Sequence, residues 1–123
     1  GEVYPALLAT LESTRDVDLQ ASCLLALAKI GEPPEAISKS LELPSLEGVL
    51  IPFLRAANER VRDLAVVALG ISADASFAPL LASMARDRSV GRDAIRGGKI
   101  DRRTRSFATH ALGLLGIDAP EQM

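Results

Sequence analysis

Apolar residues recur at helical spacing in three stretches of the chain that match one another in sequence. The first stretch, 19–28, returns 42 residues later as 61–70 and a further 43 residues later as 104–113. An alanine followed by a leucine occupies the same place in each stretch, as Ala26-Leu27, Ala68-Leu69 and Ala111-Leu112. Small residues at a fixed helical position let two helices approach closely. The pattern therefore predicts three equivalent helices that pack on one another.

A residue suited to capping a helix N-terminus lies three residues before each stretch, namely Asp16, Asn58 and Asp101. Side-chain oxygens at such positions accept hydrogen bonds from backbone amides that have no partner within the helix. Gly31 and Gly116 follow two of the stretches and suit the left-handed conformation in which many helices end. We therefore expect helices near residues 17–30, 59–72 and 102–115.

A shorter apolar segment that carries a proline precedes each of these helices, at residues 4–8, 51–54 and 78–81. Pro5 and Pro79 suit the first turn of a helix, where a missing amide has no partner to lose. Pro52 would kink a helix that begins at the cap Ser45. The repeating unit is then a pair of helices. Three stacked pairs would bury one continuous core, which is the architecture of a right-handed α-solenoid.

The composition also favours an all-α fold. Hydrophobic residues make up 48% of the chain, but only three Phe, one Tyr and no Trp contribute aromatic groups. The core must therefore be built from Leu, Ala, Val and Ile, and Leu and Ala lead the helix propensity scale. A chain of 123 residues fits one domain that can bury such a core without disulfides, and the single Cys23 is expected to pack as a small hydrophobe.

The helix pairs divide this single domain into three repeats, which span about 1–31, 45–73 and 76–116. Two segments fall outside the repeat pattern. Residues 31–45 form a proline-bounded connector, in which residues 35–41 can form one or two helical turns. Residues 87–100 lengthen the turn inside the third pair, and long insertions of this kind are more often functional or disordered than ordinary connections are. We expect this insertion to project from one edge of the array.

The stretch 61–70, Val-Arg-Asp-Leu-Ala-Val-Val-Ala-Leu-Gly, resembles the V-R-x-x-A-x-x-A-L-G signature of HEAT repeats, and 104–113 echoes it. The first stretch departs from the signature, with Gln20 in place of arginine and Ala28 in place of glycine. The likeness is to short bacterial-style HEAT repeats related to those of phycobilisome-lyase-like proteins. The resemblance implies an α-solenoid and says little about function, because such arrays carry many unrelated functions.

Charge is distributed unevenly along the chain. Residues 86–105 contain eight basic and three acidic side chains, a net charge of +5, although the whole chain carries −2. The remaining residues therefore carry −7. A local positive field of this kind attracts anionic partners in a salt-dependent way. The alternative is a solvated loop that merely tolerates arginine.

Residues suited to catalysis or metal binding do not occur in a workable arrangement. His110 is the only histidine and matches Leu25 and Val67 in the repeat register, which indicates a packing or inter-helix surface position. A zinc site would need further imidazole or thiolate ligands, and Cys23 lies two repeats away. Gly97-Gly98-Lys99 resembles part of a phosphate loop but lacks the following Ser or Thr. We therefore expect no enzymatic activity and no cofactor.

The expected function is that of a scaffold or adaptor that binds another protein with an acidic surface. In helical arrays the exposed residues of the second helices usually line a concave recognition surface, and the basic insertion would add to it. The candidate partner-binding residues are Arg60, Asp63, Arg88, Arg92, Arg96, Lys99, Arg102, Arg103, Ser106 and His110.

Two other functions stay open. The lyase-related likeness would suit an accessory or chaperone-like subunit of the bilin lyase type. The basic segment 86–105 would also suit a nucleic acid or another polyanion. It contains no aromatic residue to stack on bases, and the rest of the chain is acidic, so nucleic acid is the less favoured partner.

No stretch approaches the roughly 18 consecutive apolar residues of a membrane span, and no basic-then-apolar signal region opens the chain. These features predict a soluble chain and say little about its compartment, for which the cytoplasm is slightly favoured and a periplasmic or secreted location stays open. Three repeats are near the minimum for a stable solenoid, and neither end carries a clearly polar capping helix. We expect either that the full protein continues in both directions or that chains associate end to end.

Overall fold

The computed structural model describes residues 3–95 and 98–116, and the regular elements in these residues are all helical, which confirms the all-α expectation. A short 3₁₀ turn at Ala75–Phe77 leads into α6. The α-helices of the described residues are α1 Val3–Ser13, α2 Val17–Ile30, α3 Glu35–Leu41, α4 Leu46–Phe53, α5 Glu59–Ile71, α6 Ala78–Ala85, α7 Ser89–Ile95 and α8 Arg102–Leu114.

The three expected caps begin the three expected helices. Asp16 accepts hydrogen bonds from the amides of the first turn of α2, and Asn58 does the same for α5. The Asp101 carboxylate accepts from the amide of Thr104 at 2.8 Å in α8. Gly31 and Gly116 have φ angles of 81° and 80°, in the left-handed region that glycine enters at little cost. The bounds of these helices agree with the sequence expectation to within a residue.

The prolines take the places that their missing amides allow. Pro5 lies in the first turn of α1 and Pro79 in the first turn of α6. The Ser45 hydroxyl caps α4 by accepting from the amide of Gly48, as the sequence indicated. Pro52 is inside α4, which ends one residue later at Phe53. Pro52 has no amide to donate to the carbonyl of the preceding turn, and the helix continues for only one residue beyond it.

Helices α2, α5 and α8 lie side by side in that order. Helix α1 packs on α2, α4 on α5, and α6 on α8, so each long helix is accompanied by the shorter helix that precedes it in its sequence repeat. Leucines dominate the shared core, and those with no exposed surface are Leu24, Leu27, Leu50, Leu54, Leu69, Leu81 and Leu112. The core therefore runs from one helix pair to the next.

Small residues set the distance between α5 and α8. A Cβ atom built on Gly70 of α5 would lie 2.7 Å from both the Cα and the carbonyl oxygen of Ala111 in α8. Real Cβ atoms do not approach backbone atoms so closely, so the two helices can meet in this way only at a glycine. Gly70 and Ala111, two of the small residues in the matching stretches, are thus positions of close helix contact.

The basic insertion 87–100 does not simply project from one edge, as the sequence suggested. Its helix α7 packs on α6, where a Cβ on Gly91 would lie 2.6 Å from the backbone nitrogen of Met84. The amide of Gly91 also donates to the Ser83 hydroxyl at 2.8 Å. The connector contains the expected short helix α3, which buries none of its residues.

Candidate functional site

An open groove runs between the C-terminal end of α6 and the side of α8. Its volume is about 490 Å³, and its lining is cationic and hydroxylic: Ala85, Arg86, Arg88, Arg102, Arg105, Ser106 and Thr109. We call it the arginine groove. The residues come together because α6 and the start of α7 approach α8, although they are up to 24 positions apart in sequence.

Helical spacing brings the groove residues of α8 onto one side of that helix. Arg102, Ser106 and Thr109 are separated by four and three positions, which places them one above another on a helix surface. Arg105 lies beside them and donates from Nε to the carbonyl oxygen of Ala85 at 3.3 Å. Since that carbonyl is at the end of α6, this bond holds one wall of the groove to the other. Guanidinium groups and hydroxyls are donors that suit carboxylates and phosphates.

An apolar recess of about 730 Å³ adjoins the groove on the other side of Arg102. It is lined by Arg102, Arg103, Ser106, Phe107 and His110. The guanidinium carbon of Arg103 lies 6.0 Å from the centre of the Phe107 ring, at the outer limit of a cation–π contact. Side by side, the groove and the recess form a surface on α8 that is cationic along one edge and apolar along the other.

Asp63 is not an exposed recognition residue, as the sequence suggested, because it is 2% exposed between α5 and α8. The Thr104 hydroxyl donates to its Oδ1 at 2.7 Å. Its Oδ2 lies 3.1 Å from Nε of Arg103 but accepts no well-directed hydrogen bond. Burial raises the pKa of the Asp63 carboxyl, and the Thr104 hydrogen bond and the Arg103 charge oppose that rise. The residue joins two helices instead of facing a partner.

The basic residues of the insertion do not form one patch. Arg92 makes two hydrogen bonds of 2.8 Å to the Asp87 carboxylate, which also accepts from the amide of Ile100 at 2.8 Å. These bonds hold the pKa of Asp87 well below its usual range. Lys99 lines a separate pocket of about 170 Å³ beside Arg62. Arg88 alone of these candidates lines the arginine groove, and Arg96 lies outside the described residues.

The remaining candidate residues either line the groove or form contacts between two of the long helices. Arg102 and Ser106 are exposed and line the groove. Arg60 is exposed and forms an ion pair with Asp18 of α2. Arg103 reaches back to α5, where it lies 3.7 Å from Glu59 as well as near Asp63. Arginine thus serves two purposes on these helices, and only the tertiary contacts distinguish them.

His110 is exposed on α8, whereas Leu25 and Val67, its counterparts on α2 and α5, are half-buried. Cys23 is buried in the core, where burial raises the pKa of its thiol, as expected for a cysteine that packs as a hydrophobe. Among residues 3–95 and 98–116, no three His, Cys, Asp or Glu side chains lie close enough together to hold a metal ion. Within the same residues, no helix has the length and apolar character needed to cross a membrane.

Sequence reasoning missed three residues of this surface. Arg86, Arg105 and Thr109 were not among the candidate residues, although they line the groove. For Thr109 the signal was present, because it continues the four-and-three spacing of Arg102 and Ser106. Arg86 belongs to the basic segment 86–105, but no local feature distinguished it from the other arginines there, since it lies in the turn after α6 and meets α8 only through the fold.

Fold and surface together define an all-helical protein in which three equivalent helices lie side by side and the last of them presents a cationic groove. No protein-family model, no curated protein and no solved structure matches the chain. The surface of α8 is therefore the feature that indicates a function.

Proposed function

We propose that the chain is a non-catalytic interaction module that binds an acidic segment of another protein in the arginine groove. The observation that carries this proposal is the lining of the groove: four arginines and two hydroxyl side chains, and no acidic residue. Carboxylates pair well with guanidinium groups, often through two parallel hydrogen bonds. An open groove between helices suits an extended or helical segment better than a small molecule, which would need a more enclosed pocket.

The array itself is proposed to be a short α-solenoid of the HEAT type. Three features support this: the side-by-side order of α2, α5 and α8, the shorter helix packed on each, and the matching caps Asp16, Asn58 and Asp101. In such an array each repeat contacts only its neighbours, and among the described helices none packs on the side of α8 that faces away from α5. The arginine groove lies on that side of α8.

An acidic protein segment fits the groove better than a nucleic acid does. No aromatic side chain lines the groove, and stacking on aromatic residues supplies much of the affinity for single strands. The chain outside residues 86–105 carries a net charge of −7, which would repel a long polyanion that extended past the groove. A short acidic segment avoids that repulsion.

The proposal is tested by the binding of a labelled glutamate-rich peptide, followed by fluorescence anisotropy over a series of salt concentrations. The Arg88→Glu/Arg102→Glu double variant should bind about tenfold more weakly or worse at low salt, because two charges that face the peptide are reversed. The plot of log affinity against log salt should also be less steep, since fewer counterions are released.

The matched control is Lys29→Glu/Lys39→Glu, which changes the net charge by the same amount at exposed positions of α2 and α3 that do not line the groove. It should bind the peptide nearly as the parent does. Equal losses in the two double variants would mean that overall charge, and not the groove, attracts the peptide. Tighter binding of a random DNA duplex than of the peptide would overturn the acidic-protein proposal in favour of a nucleic acid partner.

A further inference from the structure

The outer face of α8 occupies the same register positions as the face of α5 that contacts α8. It is formed by Arg102, Ser106, Thr109 and Gly113. The corresponding residues of α5 are Glu59, Asp63, Val66 and Gly70. On α5, Asp63 and Gly70 are buried in contact with α8. On α8, Ser106 and Gly113 are exposed. The face of α8 that corresponds to the α8-binding face of α5 is therefore exposed, and no helix of the described residues packs on it.

Gly113 is the most specific of these positions. Its counterpart Gly70 allows the backbone of Ala111 to approach so closely that a Cβ atom would not fit. A Cβ on Gly113 would meet nothing within 4 Å. Glycine inside an exposed helix destabilises it relative to alanine, and nothing in the packing of residues 3–95 and 98–116 requires glycine here. An approaching helix would require it.

The opposite end of the array presents the complementary face. Thr104 and Ala111 are the residues by which α8 meets α5, and Leu19 and Ala26 are their counterparts on α2. Leu19 is 42% exposed, whereas Thr104 is 1% exposed. Ala26 is half-buried, whereas Ala111 is fully buried. Helix α2 thus carries an apolar contact face that is only partly covered.

The charges at these two faces are complementary. In the joint between α5 and α8, Arg103 lies 3.7 Å from Glu59. If α2 of a second copy packed on α8 in the same way, Asp18 of that copy would take the position of Arg103, and Arg102 of α8 would take the position of Glu59. The signs are exchanged, but a cation still faces an anion. Opposite charges on complementary patches promote association and fix its register.

We propose that the outer face of α8 binds α2 of a second copy of this chain, so that copies associate head to tail. The inference rests on the proposed function and names the partner: the acidic segment is the α2 N-terminal region, which carries Asp16 and Asp18. The joint would continue the row of α2, α5 and α8 into the next copy. Because the two faces differ, such association does not stop at a dimer and builds either a closed ring or an open filament.

The first test is sedimentation of the whole chain over a concentration series. The weight-average mass of the parent should rise past that of a dimer as concentration increases. Gly113→Leu should weaken the association about tenfold or more, because its side chain occupies the space that the second helix needs. Gly98→Leu is the matched control, since a Cβ there also meets nothing within 4 Å but lies before α8. It should associate as the parent does.

The second test reverses the charges of the joint. Asp18→Arg and Arg102→Asp should each weaken association, and the double variant should restore it, because the two charges face each other again. Asp18 also pairs with Arg60, but both side chains are more than half exposed and the loss of that pair costs little stability. Circular dichroism and the melting temperature would show that each variant is folded.

The outcomes separate this inference from the proposed function. A parent that stays monomeric at every concentration, yet binds the glutamate-rich peptide, overturns head-to-tail association and leaves the acidic-partner proposal intact. Loss of both would overturn both. Association that is equally strong in Gly113→Leu, or that the double charge reversal does not restore, would show that copies meet through another surface.

Discussion

Gly70 and Gly113 occupy the same register position on α5 and α8 but have different surroundings. A side chain on Gly70 would press on the backbone of Ala111, which cannot move without shifting α8. Gly70→Ala should therefore lower the free energy of unfolding by about 1–3 kcal/mol. Gly113→Ala meets open space and should raise it by about 0.5–1 kcal/mol, as expected for alanine in an exposed helix.

Urea unfolding of both variants and of the parent at low protein concentration checks this pair of signs. The comparison is controlled internally, because the substitution and the register position are the same. A destabilised Gly113→Ala protein would mean that the outer face of α8 is covered within a single chain.

Asp63 should make stability depend on pH in the direction opposite to that of most carboxylates. Burial raises its pKa in the folded protein, so the folded state binds the proton more tightly than the unfolded state does. Below about pH 4 the residue is protonated in both states. As pH rises through the folded pKa, the parent loses stability that Asp63→Asn does not lose. The free energy of unfolding of Asp63→Asn, relative to that of the parent, should therefore rise with pH and then level off.

The control for this experiment is Asp101→Asn. The amide of Thr104, which donates to Asp101, holds the pKa of that carboxyl below its ordinary value, so its contribution to stability is present above the unfolded pKa and lost as pH falls. Relative to Asp63→Asn, the parent should thus lose stability as pH rises above the unfolded pKa, whereas relative to Asp101→Asn it should lose stability as pH falls below the unfolded pKa. Urea unfolding at several pH values measures both, and parallel changes would contradict the assignment for Asp63.

At the scale of whole helices, stability should be highest in α5 and lowest in α3. Helix α5 packs on α2 on one side and α8 on the other and buries seven of its residues, while α3 buries none. Amides of α3 should exchange with solvent through local openings of little free energy, and those of α5 only on global unfolding. Hydrogen exchange read by mass spectrometry would show this, and equal protection of the two helices would contradict it.

Helix starts were the most predictable part of the fold. Asp16, Asn58 and Asp101 cap the helices they were expected to cap, because capping depends on a side chain and amides two or three residues away. The packing of the insertion 87–100 on the rest of the fold was not predictable in the same way. Helix α7 packs on α6 because Gly91 and Ser83 meet across the turn, and that contact depends on how the two helices are placed.

At the scale of the whole molecule, the uneven charge of the sequence gives the two ends of the row of helices different charge. Much of the positive charge of residues 86–105 lies around α8, whereas Asp16 and Asp18 lie at the start of α2, on the opposite side of the row. At physiological salt the electrostatic attraction between exposed charges is screened beyond about 8 Å. The basic residues therefore attract an acidic partner only when it is near the groove. Polarity of this kind is what the proposed head-to-tail association requires.

The sequence by itself determined the all-helical class, the three equivalent helices and their caps, because helical periodicity and capping act over a few residues. Tertiary structure alone decided which polar residues face solvent. Asp63 and Ser106 share one register position, yet Asp63 is buried and Ser106 exposed, since a helix follows α5 and none in the described residues follows α8. Arg92 and Arg102 look alike in sequence, but Asp87 binds the first, whereas the second lines the groove. Burial and pairing depend on neighbours distant in sequence, and those neighbours are known only once the helices have packed.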